Sequence, residues 1–297
     1  MSPPNTSATF RYVCNPSPVP SQPTPRQHEP YFHLSASLRT APSPSHPQPT
    51  NLTFTYGDPV PICDIRGYSE QEFRLDTHGF TVLRHESAVR NWGDRETVED
   101  LYFREVQGLV RQVLGERVRV VIYDWRLRRS LDGEEKEEGK GAGRVRYEQP
   151  LPTVHIDQTT KGMVKRVRHC MGSEASELLQ GRVRMINLWR PIYHPIINWP
   201  LALCDGSTVL PSALIPTTFI TPNYVGEMYN VMYRPEHTWY YLSEQTPAEV
   251  LMFKIADSKE DVGAKYCPHA SFRLRGGPGG AGSRESVEVR VLVFGGD

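Results

Sequence analysis

His155-Ile156-Asp157 sets an imidazole and a carboxylate two residues apart, and on a β-strand that spacing points both side chains to one face. A second imidazole, His269, follows 114 positions after His155, and Arg284-Glu285-Ser286 begins 15 positions beyond it. Two neutral imidazoles and one carboxylate can fill one face of an octahedral metal and leave three positions open, the donor set of a non-haem Fe(II) oxygenase. A guanidinium gives a planar two-point grip on a carboxylate and a serine hydroxyl adds a donor. Arg284 and Ser286 are therefore candidates to hold the far carboxylate of 2-oxoglutarate. On a strand they share a face with Arg290, which competes for the same role, while Val287, Val289, Val291 and Val293 line the other face. Asn187, Trp189 and Arg190 (NLWRP) form a further polar and aromatic cluster that could reach the chelating end of the cosubstrate or the substrate.

Each piece alone is weak. With ten histidines in the chain, an H-x-D is expected by chance in about half of such sequences, so the plain reading is a strand-end histidine beside a turn aspartate. His269 alone reads as an ordinary half-buried histidine, and NLWRP as a strand end with a structural arginine. Order and spacing together are more specific than any part. They point to Fe(II), 2-oxoglutarate and O₂ acting on an unactivated C–H bond, with ascorbate the candidate auxiliary reductant. Cys267 lies two residues before His269, but a thiolate suits a softer site. The glycine run 276–283 (GGPGGAGS) lacks the Gly-Lys-Ser/Thr ending of a phosphate loop and reads as a hairpin connection.

The elements that must position these residues are mostly strands. LTFTY, PVPICDIRGY and GFTVLRH, then VRVVIYDW, VRMINLW, YNVMYR, TWYYLS, EVLMFKI and SVEVRVLVF, are short β-rich runs separated by turn residues. A helix is expected over about 94–115, where Val98, Leu101, Tyr102, Val106, Leu109, Val110, Val113 and Leu114 recur at helical spacing between a cap at Asp94 or Asn91 and Gly115. A second helix is expected over about 174–180. This texture predicts a mainly β chain with flanking helices (α+β), a double-stranded β-helix or jelly roll. Residues 1–50, rich in Pro, Ser and Thr, are expected to be extended chain lying over the surface of a single domain spanning 51–297. The charged, Gly-rich stretch 128–144 is expected to be a mobile loop.

Composition narrows the function classes. Lys plus Arg (34) balances Asp plus Glu (34), which favours neither nucleic acid nor an anionic membrane as partner. No apolar run reaches the length of a membrane span, and the start (MSPPNTSATF) lacks the marks of a signal peptide. The expected setting is the cytoplasm, where five scattered cysteines stay reduced and the sequons at Asn5 and Asn51 are silent. The expected partner is a small-molecule substrate; the oligomeric state is not written in the sequence.

Longer segments carry a resemblance. DIRGYSEQEFRLDTHGF (64–80), VHIDQT (154–159), NLWRPI (187–192), PLALCD (200–205), EVLMFKIADS (249–258), PHASF (268–272) and RESVEVRVLVF (284–294) resemble a fungal family of hydroxylases and desaturases. That family is typified by an aspergillic acid pathway enzyme and a gibberellin desaturase, with a bacterial cephamycin methoxylation protein more distant. The resemblance implies a double-stranded β-helix at work in secondary metabolism, with His155, Asp157 and His269 on iron and Arg284 and Ser286 on 2-oxoglutarate. Trp125 stands where the family pattern leads one to expect a histidine. Two other readings fit a bare barrel: a cupin-like metal enzyme that uses no 2-oxoglutarate, and a non-catalytic small-molecule-binding barrel. Trp189, Tyr193, Trp199, Tyr224, Tyr229, Trp239 and Tyr240 could line an apolar pocket, although aromatics at strand spacing are more often core.

Overall fold

A computed structural model describes residues 6–14, 31–33, 50, 52–69, 71–130, 145, 147–274 and 284–296. Most of the expected 128–144 loop, and the glycine run 276–283, lie outside these residues.

Among the described residues, two large sheets face each other. The larger has nine strands, in the spatial order Thr6–Ala8, Val60–Asp64, Trp239–Tyr241, Leu201–Cys204, His269–Ser271, His155–Ile156, Val225–Val231, Leu214–Ile220 and Tyr31–His33. The smaller has six, in the order Phe80–Arg84, Glu249–Asp257, Val183–Pro191, Glu285–Phe294, Arg119–Arg129 and Tyr147–Glu148. Apolar side chains of both sheets meet in one core, with Ile156, Ala202, Trp239 and Ala270 from the larger and Trp189, Phe253 and Leu292 from the smaller. This is the jelly roll that the strand texture leads one to expect.

The period-2 reading of the C-terminal strand holds residue by residue. Val287, Val289, Val291 and Val293 form the outer face, where they pack with Ile186 and Leu188 of the neighbouring strand. Against them lies the 94–115 helix through Val98, Tyr102, Val106, Leu109 and Val110. Asp94 caps that helix by accepting from the Thr97 amide at 3.1 Å, and Gly115, at φ 99°, ends it. Between cap and end the helix makes a π-helical turn over Val98–Tyr102. The wider turn breaks the 3.6-residue phase, so Leu101, expected in the apolar stripe, is exposed.

Two elements differ from expectation. The 174–180 helix is a 3₁₀ turn, Gly172–Glu174, leading into one α-turn, Ala175–Leu178. The longer helix, Thr160–Met171, went unread because Gly162 interrupts it and its buried stripe is only Met163, Val167 and Met171. Its start is marked by Thr159, whose hydroxyl accepts from the Gly162 amide at 2.8 Å. Gly162 itself is required by close approach: a Cβ there would collide with the Glu227 carbonyl and come within 2.8 Å of Gln158 Oε1.

The apolar islands near the start do more than lie over a surface. Thr6–Ala8 pairs with the 60–64 strand, Arg11–Val13 pairs with Phe54–Tyr56, and the backbone of Tyr31–His33 runs parallel to 218–220. Phe10 and Tyr12 are buried, with Phe10 packed on Trp239 at 4.4 Å. No helix among the described residues is long and apolar enough to cross a membrane.

Candidate metal and cosubstrate site

His155 and His269 are register partners on neighbouring strands of the nine-stranded sheet, so their rings lie side by side, with centroids 4.4 Å apart. Each ring is turned the same way. His155 Nδ1 lies 2.8 Å from the Thr153 carbonyl and His269 Nδ1 lies 3.1 Å from the Cys267 carbonyl. A carbonyl can only accept, so it fixes the Nδ1–H tautomer and leaves each Nε2 lone pair free for a metal. The Asp157 carboxylate faces both, with Oδ1 3.6 Å from His155 Nε2 and Oδ2 4.0 Å from His269 Nε2. One donor atom from each of the three lies within 4.8 Å of the others, and all three residues are buried. Burial, with His155 beside it, pushes the His269 pKa down to about 4, so its imidazole is neutral at pH 7 as a ligand must be.

The other sheet supplies what surrounds the triad. Inward from the C-terminal strand come Ser286, Glu288 and Arg290, and inward from the 183–191 strand come Asn187 and Trp189. Asn187 Nδ2 donates to Asp157 Oδ2 at 2.7 Å and to Glu288 Oε1 at 3.0 Å. Arg290 donates to Asp157 Oδ1 at 2.9 Å, to Glu288 at 2.8 Å and to Asp124 at 3.2 Å. Burial alone would raise the Asp157 pKa, but Arg290 and the two histidines hold it well below the usual carboxylate range. Both Asp157 oxygens are thus fixed in position and kept ionised.

Arg284 is different. The residue is 2% exposed, yet the partners of its guanidinium are neutral: Ser271 Oγ at 2.6 Å, the Trp199 carbonyl at 2.9 Å, Ser286 Oγ at 3.2 Å and the face of Trp189 at 4.9 Å. Trp199 sits at φ 57°, a strained turn for a non-glycine residue that points its carbonyl to this guanidinium. No carboxylate among the described residues pairs with Arg284, and burial, with Arg128 nearby, pushes its pKa down to about 9. A buried cation with no carboxylate bonded to it, and only Glu288 near enough for its charge to act on it, fits an incoming anion. It lines a small cavity together with His155, His269, Trp189, Phe253 and Ser271. The donor set fits Fe(II), and the guanidinium with neutral partners beside it fits a carboxylate of the cosubstrate.

Not every expected site residue gathers here. Arg190 alternates to the outer face, where it hydrogen-bonds the carbonyls of His85 and Pro247 and lies over Tyr102, away from the cavity. The NLWRP cluster is therefore split, Asn187 and Trp189 inward and Arg190 outward, as strand alternation requires. Arg290 does face the site, but its donors are committed to three carboxylates. Trp125 also points outward, donating to Glu99 at 3.0 Å. Glu288 and Arg128, which line the cavity and lie 3.4 Å apart, were not singled out in the sequence. The signal was available, since Glu288 falls between Ser286 and Arg290 on the same inward face.

A jelly roll with a buried His-Asp-His triad and a lone buried arginine beside it defines a non-haem iron oxygenase of the 2-oxoglutarate-dependent class. Residues 22–294 match the family described as "Oxidoreductase/YMDC permease-like domain". The chain is 35% identical over 251 residues to the hydroxylase/desaturase efuI of Hormonema carpetanum, covering 80% of this chain and 83% of that one. It is 34% identical over 231 residues to the Fe(II)/2-oxoglutarate-dependent dioxygenase nvfI of Aspergillus novofumigatus, covering 75% and 79%. Among solved structures it is similar to the iron and alpha-ketoglutarate-dependent endoperoxidase NvfI, with a TM-score of 0.80 and 29% identity over 99% of both chains. The chain belongs to this family of fungal Fe(II)- and 2-oxoglutarate-dependent hydroxylases and desaturases. Its cofactors are accordingly Fe(II) and 2-oxoglutarate, and its substrate is a small molecule of secondary metabolism.

Proposed function

We propose that His155, Asp157 and His269 bind Fe(II), and that Arg284, with Ser286 and Ser271, holds the distal carboxylate of 2-oxoglutarate in the adjoining cavity. When bound, iron and 2-oxoglutarate together supply the oxidising power that converts O₂ into an oxidant for a C–H bond. The residues of the chain do the rest. Thr153 and Cys267 carbonyls hold the imidazole tautomers, while Arg290 and Asn187 hold the aspartate. Leu201, Phe253 and Trp189 supply the apolar part of the cavity wall. The outcome is hydroxylation, desaturation or ring closure of a small molecule.

The observation that carries this reading is Arg284, a buried cation surrounded by neutral partners beside the triad. Its test is the dependence of 2-oxoglutarate turnover on Arg284, with Arg290 as the control that alters iron binding instead. We further propose that residues 51–297 form one oxygenase unit, onto which residues 6–13 add strands. It works in the cytoplasm with no nucleic-acid or membrane partner.

A further inference from the structure

Like Arg184 and Arg190, which bond backbone carbonyls, Arg166 has no acidic partner among the described residues, but it has no carbonyl partner there either. Arg166 lies on the Thr160–Met171 helix, two turns or about 10 Å beyond the cap at Thr159. Its guanidinium carbon is 3.5 Å from the centroid of the Tyr224 ring and 5.1 Å from that of Tyr123. Three other arginines that face inward near the metal triad do pair with acids. Arg126 pairs with Glu148, Arg128 with Glu288, and Arg290 with Asp157. Among the described residues Arg166 has only the rings and the neutral thiol of Cys170.

Two buried polar atoms at this place have no hydrogen-bond partner: Arg166 Nε and the Tyr224 hydroxyl. Leaving such atoms unpaired costs about 1–3 kcal/mol each, so they call for a ligand with acceptor oxygens. Stacking against a ring covers a face of the guanidinium and leaves its N–H groups pointing out of the stack in its plane. That edge matches a planar carboxylate. Lys165, with Nζ 5.8 Å from the Tyr224 centroid, adds positive charge to the same spot.

Tyr123 connects this spot to the metal site. It is the extra residue of a β-bulge, since Ile122 pairs with Val291 and Asp124 pairs with Arg290. The bulge lets Tyr123 join the inner core while Asp124, the next residue, binds Arg290. Burial raises the Tyr123 pKa, and Arg290, Asp157 and Arg166 are all near enough for their charges to act on its phenol. None of the residues lining the cavity beside the triad belongs to this cluster, so Arg166 and Arg284 stand at separate spots.

We propose that Arg166, stacked with Tyr224 and Tyr123, binds a carboxylate on the molecule to be oxidised, so that the substrate is an organic acid whose carboxylate is anchored away from the iron. This rests on the oxygenase reading of the neighbouring site. The test uses full-length protein loaded anaerobically with Fe(II) and saturating 2-oxoglutarate, so that Arg284 is already occupied. Decanoate, 4-phenylbutyrate and 1-naphthoate are titrated beside their methyl esters, by calorimetry and by perturbation of the visible iron–cosubstrate band. At least one acid should bind tenfold or more tightly than its ester. In Arg166→Gln that preference should fall to near unity while the band keeps its position, and Arg166→Lys should retain part of it. Acids and esters binding alike, no acid binding at all, or a preference that survives in Arg166→Gln would each overturn the proposal. Absence of the band in the wild type would sink the oxygenase reading instead, and calorimetry would still decide the acid preference.

Discussion

Arg290 donates to Asp157 Oδ1 at 2.9 Å, and through this bond the C-terminal strand of one sheet holds the metal-facing carboxylate of the other. The same guanidinium separates two buried carboxylates that would otherwise repel, Asp157 and Glu288. Removing it leaves both without their shared counter-charge.

Arg290→Ala is therefore expected to lose about 3–5 kcal/mol of stability, the range for breaking a buried ion pair on one side. It is also expected to weaken Fe(II) binding more than 2-oxoglutarate binding. Urea unfolding and anaerobic Fe(II) titration of the same preparations check both. A variant with wild-type iron affinity would show that Asp157 is held by Asn187 alone.

Arg284→Ala should leave iron affinity close to wild type and raise the KM for 2-oxoglutarate roughly 10- to 100-fold, the loss of one or two charge-assisted hydrogen bonds. Arg190→Ala is the matched control. Its guanidinium is tied to backbone carbonyls on the outer face, so it should lower Tm without moving that KM. Steady-state kinetics with 2-oxoglutarate varied, beside thermal melts, separate the two.

Gly162→Ala should destabilise the chain by about 1–3 kcal/mol, because a Cβ would press on the Glu227 carbonyl of the adjoining strand. A substitution that usually favours a helix would then act against this one. Equilibrium unfolding is the measurement, and a stabilised variant would mean that helix and strand separate easily.

His237 gives a pH signature far from the metal ligands in sequence. It is buried, neither ring nitrogen has a partner among the described residues, and burial pushes its pKa from 6.5 down to about 4. The unfolded state then binds a proton that the folded state refuses between those values. Its contribution to stability is full above pH 6.5 and is lost as pH falls toward 4. His237→Leu should flatten that part of the stability–pH curve and leave pH 7 stability unchanged or higher, by urea unfolding at pH 7, 6 and 5. An unchanged slope would contradict it.

The sequence carried the triad and the clamp candidates because strand alternation is a rigid rule: 155 and 157, or 284, 286 and 290, share a face whatever surrounds them. The same rule could have moved Arg190 outward, since it is three positions from Asn187 and one from Trp189. What alternation could not supply was the pairing between strands. Only the fold brings Asp157 to Arg290, 133 residues away, and that pairing is the reason for proposing Arg284 rather than Arg290 as the clamp. The bulge at Tyr123 leaves no mark in composition. The 160–171 helix was hidden by a glycine that its packing requires, and with it went any view of Arg166.

The most direct test of the central claim is anaerobic titration of iron-free protein with Fe(II) and 2-oxoglutarate, watching for the visible charge-transfer band of chelated cosubstrate. The band should appear in the wild type, vanish in Asp157→Ala, and require far more 2-oxoglutarate in Arg284→Ala. A well-folded, iron-loaded wild type without the band, or an Asp157→Ala variant that keeps it, would contradict the assignment of this triad and this clamp.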